Sequence, residues 1–209
     1  MKVIDCIQMT PEWWEARRGV PTASKFDKIL TPTGKPTTGN ARRGYICELI
    51  ADSIEQLPPC FSSQGPIRGT NAMQNGIRTE PEARRWYAID HDAVQEVGFC
   101  LTDDGRFGCS PDSLIGPDGL LEIKCPEVKT HIAYMLDGGK SLLADYRVQC
   151  HGQLYVTGRK WVDLLSYFPG YRPVLVRVEP DAYTQRLREA LEGFYVEYQA
   201  ALRLVKDAA

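Results

Sequence analysis

The chain has 209 residues, enough for one well-buried domain and too few for two of ordinary size. Its hydrophobic fraction of 43% and charged fraction of 25% are those of a globular protein, and no apolar run approaches the roughly 20 residues that cross a bilayer, so no membrane role is expected. A net charge of −2 and a pI near 6.0 give no overall excess of cations for phosphate binding, yet residues 1–43 hold eight Lys or Arg against four acids, which leaves room for a local basic face.

Seven cysteines form an odd set without a CxxC pair, which argues against a disulfide framework and against a zinc site. The N-terminus MKVIDCIQMTPEWWEARRG lacks the unbroken apolar stretch of a secretory signal, so the chain is expected to stay in the cytosol. Thr10 followed by Pro11 reads as an N-cap and first helical position, and Gly19 closes a short helix carrying Trp13, Trp14 and Arg17. A second helix should begin near Thr22 to Ser24. Polar loops rich in Thr, Gly and Pro follow at 31–40 and 57–71, with a helix over 41–56 between them. RTEPEARRWYAID predicts a further helix, entered at Glu80 and Pro81.

From Val94 the pattern changes to short strands: VQEVGFCL, RFGCS, LLEIKC, WVDLLSYF and PVLVRV, separated by turn signals at 103–105 and 116–119. A helix over 144–157 interrupts them. A last amphipathic helix carries Tyr183, Leu187, Leu191, Tyr195, Tyr198 and Leu202 at spacings of three and four. The order implies a single mixed α/β domain over 1–209 rather than a doubly wound parallel one.

In LLEIKC the period of two places Glu122 and Lys124 on one face of a strand and Leu121, Ile123 and Cys125 on the other. Asp112 lies ten residues before Glu122, and the intervening GPDG turn folds the two segments into a hairpin. A tight two-residue turn at Pro117 and Asp118 would pair Asp112 with Ile123, on the wrong face. A bulge or a loop of different length must therefore intervene, and Pro111 is a natural point for a break. Two carboxylates converging from adjacent strands are hard oxygen ligands suited to Mg²⁺. Asp112 and Glu122 can hold the ion, the Ile123 carbonyl can add a ligand, and Lys124 can orient or help deprotonate the water that attacks a phosphodiester. An ExK pair beside an unrelated loop aspartate is the competing reading.

CSPDSL and LLEIKCP together resemble the signature of the phage lambda exonuclease family of viral recombination nucleases, within the PD-(D/E)XK superfamily. EARRGVPTAS (15–24), GIRTEPEAR (76–84) and YRVQCHGQLYVTGR (146–159) resemble further family segments in the same order. The resemblance implies a restriction-endonuclease-like core, a central mixed sheet flanked by helices. It implies a 5′-to-3′ exonuclease of linear double-stranded DNA that releases mononucleotides and leaves 3′ tails for recombination by strand annealing. It also implies one or two Mg²⁺ ions, with Mn²⁺ as a substitute, a ring-shaped homotrimer, a single-strand annealing partner, and a phage or prophage gene expressed in bacterial cytoplasm.

By the same resemblance Glu80 is a further catalytic and metal-binding acid. Arg17 and Ser24 receive a terminal 5′ phosphate, with Lys129 beside the Thr130 that stands where the family has a basic residue. Gln149, His151 and Gln153 position water or the DNA backbone, although His151 departs from the family's glutamine. Met73 wedges the strands apart or simply packs. Two other functions fit the residues: a structure-specific or restriction-type endonuclease, and a catalytically silent DNA-binding module with a nuclease fold.

Overall fold

The structure is a computed structural model that describes residues 1–54, 71–91 and 94–208, and for 71–77 the backbone alone. The Met73 side chain and nearly all of the 57–71 loop therefore lie outside the described residues. Strand β1 (Lys2–Ile4) opens the chain, followed by α1 (Pro11–Arg17), a 3-10 helix (Ala23–Lys28), α2 (Asn40–Ile54) and α3 (Asn71–Asp90). Strands β2 (Val94–Gln95), β3 (Phe99–Leu101), β4 (Gly108–Cys109), β5 (Ser113–Ile115) and β6 (Gly119–Lys124) come next. Helices α4 (Val128–Leu136) and α5 (Lys140–Thr157) lead to β7 (Trp161–Ser166), β8 (Val174–Val178) and α6 (Ala182–Asp207).

Among the described residues two sheets form, one in the order β1-β3-β4 and one in the order β2-β5-β6-β7-β8. Within the larger sheet β6 and β7 run parallel, because α4 and α5 carry the chain back across the sheet, and the other pairings are antiparallel. The expected single strand VQEVGFCL divides between the sheets: β2 joins the larger one and β3 the smaller. Gly98 lies at the division, where a Cβ would stand 2.1 Å from the Cys6 carbonyl oxygen. Only glycine lets the two backbones pass that closely.

Alternation along β6 splits the core in two. Leu120 faces a cluster with Val148 and Leu154 of α5 and Leu187, Leu191 and Phe194 of α6. Leu121 and Ile123 face a smaller cluster with Ala83 and Tyr87 of α3 and Leu165 and Tyr167. The central sheet is thus mixed and flanked by helices on both faces, as expected. Helix α6 begins with a capping box at Asp181 and Thr184 and buries Tyr183, Leu187, Leu191, Phe194 and Tyr198, each contributing about 1.5–3 kcal/mol.

Thr10 caps α1, accepting from the Trp13 N–H at 3.5 Å. The helix expected from Glu80 instead starts at Asn71 and carries Pro81 in its interior. Proline marks a first turn because it lacks an N–H, but one missing bond also fits inside a helix held by packing on either side. No helix among the described residues is long and apolar enough to cross a membrane, and the six described cysteines are free thiols.

Candidate active site

The register of the β5–β6 hairpin is set by a three-residue loop, Gly116–Asp118, one residue longer than the tight turn. Gly116 takes φ +50°, and Arg159 Nη1 donates to the carbonyls of Gly116 and Gly119 at 2.8 and 2.7 Å, holding the loop open. Ser113 then pairs with Leu121, and the Asp112 N–H donates to the Leu121 carbonyl at 3.1 Å. Asp112 is brought opposite Glu122. Its Oδ2 accepts from the Ile123 N–H at 2.5 Å. Pro111 stands between β4 and β5, where the chain leaves one sheet for the other.

On the face expected from the strand period, Lys124 Nζ donates to Glu122 Oε1 at 2.6 Å. Two glutamines of α5, one turn apart, approach from the other side. Gln149 Nε2 donates to Glu122 Oε1 and Gln153 Nε2 to Glu122 Oε2, both at 2.5 Å, while Gln149 Oε1 accepts from Lys124 at 3.2 Å. Glu122 is buried and fixed by three donors. Burial works against the Lys124 ammonium, but Glu122 and Asp112 outweigh it and the pKa is raised. The Tyr146 ring lies 4.5 Å from Nζ and closes the third side.

His151 does not join the two glutamines. Two residues along a helix turn the side chain by about 200°, and its Nδ1 meets Thr184 Oγ1 at 2.8 Å, in the first turn of α6. It is a core residue with its pKa lowered, chiefly by burial.

Glu80 reaches the site from α3. Its pKa is raised, first by burial and then by neighbouring Glu122 and Glu96, against the pull of Arg84. Asp112 is raised further, by burial, then Glu122, then Glu80. Glu82 points away and accepts from the Tyr167 hydroxyl at 2.7 Å. Arg84, which is not among the residues expected at the site, ties these parts together. It donates to Glu80 Oε1 at 2.6 Å, to Ser113 Oγ at 3.2 Å and to the Asp112 carbonyl at 3.5 Å, and pairs with Glu96 at 3.2 Å. Its spacing of four from Glu80 is the signal in the sequence that could have found it.

Among the described residues no group of three or more His, Cys, Asp or Glu is arranged to hold a metal ion. The chemistry of the donors fits Mg²⁺ nonetheless, since that ion keeps most of its waters and takes one or two carboxylates. Carboxylates that raise one another's pKa are a place where a cation is favoured.

Beside the acids lies a cavity of about 160 Å³ lined by Gln8, Trp13, Arg17, Ser24, Gln149 and Gln153 among others. Arg17 is buried, its guanidinium 4.2 Å from the Trp13 ring centroid, donating to Ser110 Oγ and Thr22 Oγ1 at 3.3 Å each. No carboxylate among the described residues pairs with it, and its Nε has no hydrogen-bond partner. Burial lowers its pKa to about 10. Ser24 is exposed at the cavity edge, its Oγ 3.4 Å from Thr22 Oγ1. Ser110 is a further lining residue that the motifs do not single out, although it directly precedes Pro111 and Asp112. Lys129 is exposed on the first turn of α4 and does not line this cavity.

Residues 12–160 match the YqaJ-like viral recombinase domain. The chain belongs to that family. Its fold is that of an alkaline exonuclease (LHK-Exo) from Laribacter hongkongensis, 32% identical, with a TM-score of 0.79 over 95% of this chain and 97% of that one. A second structure of LHK-Exo, in complex with dAMP, superposes with a TM-score of 0.80. A phage-related exonuclease from Haemophilus somnus 129PT, 13% identical, shares the fold with a TM-score of 0.65. Among curated proteins none is similar in sequence. The resemblance to the lambda exonuclease family and the PD-(D/E)XK-like core expected for this family member are the family and fold found.

Proposed function

We propose that this chain, a nuclease by family, is a Mg²⁺-dependent 5′-to-3′ exonuclease of linear double-stranded DNA that releases mononucleotides. The observation that carries the reading is Arg17. A buried guanidinium without a carboxylate is an anion site, and Gln149 and Gln153 form a wall common to its cavity and to Glu122. A terminal phosphate held there sets the next phosphodiester against the acids, so the enzyme counts from an end. The structure of relative LHK-Exo with dAMP, a nucleoside monophosphate, agrees with release of single nucleotides.

Asp112 and Glu122, with the Ile123 carbonyl and Glu80, would hold one or two Mg²⁺ ions, or Mn²⁺ in their place. Bound metal supplies polarisation of the phosphoryl oxygen and a more acidic water. Lys124 orients that water and offsets charge developing on the phosphate. Gln149 and Gln153 fix Glu122, and Arg84 fixes Glu80 against the hairpin. Arg17 and Ser24 take the 5′ phosphate, with Lys129 outside the lining of that cavity. Strand annealing of the 3′ tails by a separate protein, a ring-shaped homotrimer that encloses the duplex, a single domain over 1–209 and a cytoplasmic site of action in a bacterial host belong to the same proposal. Enclosure would account for DNA binding by a chain of net charge −2.

Linear duplexes labelled at either end, with 5′-phosphate or 5′-hydroxyl termini, test the reading with and without Mg²⁺. Release of the 5′ label, dependent on Mg²⁺ and faster from phosphorylated ends, is expected. Nicking of covalently closed circular duplex would establish the endonuclease instead, and inertness towards every substrate the silent module.

A further inference from the structure

Glu80, Arg84 and Asp112 also line a groove of about 800 Å³ whose opposite wall is the N-terminal segment Met1–Met9. The volume is that of a ligand site, roughly 300–1,000 Å³. The N-terminal wall carries one acid, Asp5, among uncovered apolar side chains, with Val3 50%, Ile7 76% and Met9 57% exposed. Apolar side chains grouped in this way on the rim of a cleft mark a surface that something else covers.

The segment is firmly placed. Gln8, between the two most exposed residues, donates from Nε2 to the carbonyls of Val97 at 2.8 Å and Pro111 at 2.9 Å, the latter adjoining Asp112. The Thr10 hydroxyl and N–H both donate to the Ile7 carbonyl, at 2.7 and 3.3 Å, closing a turn in which Met9 has φ +67°. No other described residue except glycine takes a positive φ. A side-chain-bearing residue holds that conformation only where its surroundings fix it. Gln8 lines the Arg17 cavity as well, so the groove and the cavity share a wall.

We propose that Ile7 and Met9 form an aliphatic shelf for the nucleobase at the 5′ end of the digested strand, an inference that rests on the nuclease reading. The occupant follows from continuity. A strand with its terminal phosphate at Arg17 and its first phosphodiester at Asp112 passes along the wall that joins the two spaces, and its base is set to one side. On the groove side it meets Ile7 and Met9. On the other side lies a space of about 310 Å³ lined by Lys25, Asp27, Lys28, Asp145 and Tyr146, whose one ring already lies against the Lys124 ammonium and whose aliphatic Val148 is buried, so it offers a base no free apolar face. Aliphatic groups contact the face or edge of an unstacked base without reading its hydrogen-bonding pattern, which suits digestion without sequence preference.

The test uses a 5′-phosphorylated duplex carrying 2-aminopurine as its terminal base, whose fluorescence rises when the base leaves the duplex stack. Bound in Mg²⁺ to the Lys124→Ala protein, it should brighten several-fold. Adding Ile7→Ser and Met9→Ser should remove most of that rise while DNA remains bound by fluorescence anisotropy. The same pair of substitutions in the Lys124 enzyme should raise KM for duplex ends and leave the thermal midpoint and the mass by light scattering unchanged. An undiminished rise, or no rise with either protein, overturns the shelf. A change in mass overturns it too, by assigning the patch to contacts between copies. Failure of the nuclease reading is separate: the unsubstituted enzyme would then release no nucleotide from the same duplex in Mg²⁺.

Discussion

The cavity around Arg17 and the acids around Asp112 lie side by side and carry opposite charge, the cation without a carboxylate and the three acids with Lys124 and Arg84 against them. Arg17 is a buried cation that no described carboxylate pairs with, and burial lowers its pKa to about 10. Asp112 is an acid crowded by Glu122 and Glu80, and burial with those neighbours raises its pKa. The Asp163 cluster of the same protein shows the contrast. There a fully buried carboxylate accepts two bonds from Arg177 at 2.8 Å and one from the Tyr87 hydroxyl at 2.6 Å. A charge satisfied within the fold is structural, whereas a charge left for another molecule points to a ligand. One pocket suits an anion and its neighbour a cation, in keeping with the phosphate and the metal proposed for them.

The largest expected effect comes from emptying the acid side. Lys124→Ala or Asp112→Asn should lower turnover by roughly 10³-fold in a nucleotide-release assay, while Lys124→Ala still binds duplex. Wild-type turnover in either would remove the roles assigned to them. Arg84→Gln, which leaves Glu80 without its anchor, should reduce turnover by roughly 10- to 100-fold and shift the Mg²⁺ concentration giving half-maximal rate. A lower melting temperature with the same Mg²⁺ dependence would reduce Arg84 to a structural part.

Emptying the other pocket should separate function from stability. Arg17→Met should erase the preference for 5′-phosphorylated ends, about 2 kcal/mol of recognition, yet leave the thermal midpoint no lower, because a buried charge without a carboxylate has been replaced by an apolar group. Asp163→Ala should do the reverse. It should cost about 2 kcal/mol in denaturant unfolding, a value discounted because Arg177 is half-exposed, with turnover unaffected.

The smallest effect concerns pH. His131 is buried between Ser166 Oγ and the Arg172 carbonyl, and burial lowers its pKa despite that carbonyl. Its neutral form is favoured in the fold, so its contribution is complete above the unfolded value of about 6.5 and is lost as pH falls through the lower folded value. Melting curves should therefore shift slightly downward as pH drops below about 6.5.

Much of the site is legible in the amino-acid sequence, because its signals are local. A period of two alone puts Glu122 and Lys124 side by side, and four-residue spacing alone puts Gln149 and Gln153 on one face of a helix. The same rule turns Glu82 away from Glu80. His151 belongs with the glutamines by its place in the motif but not by its helical phase, and the phase prevails: it lies on the other side. Pro81 reads as a helix start because proline favours first turns, yet the turns before it are helical as well.

The sequence by itself determined which residue types stand on which face of each strand and helix, since those periods are fixed by the geometry of a few bonded neighbours. The tertiary structure alone decided the hairpin register, where Arg159 reaches back 43 and 40 residues to the carbonyls of Gly116 and Gly119. It alone joined Arg84 to Asp112 and Ser113, and Gln8 to Pro111 across 103 residues. Such contacts depend on how distant segments pack, and no local period encodes them.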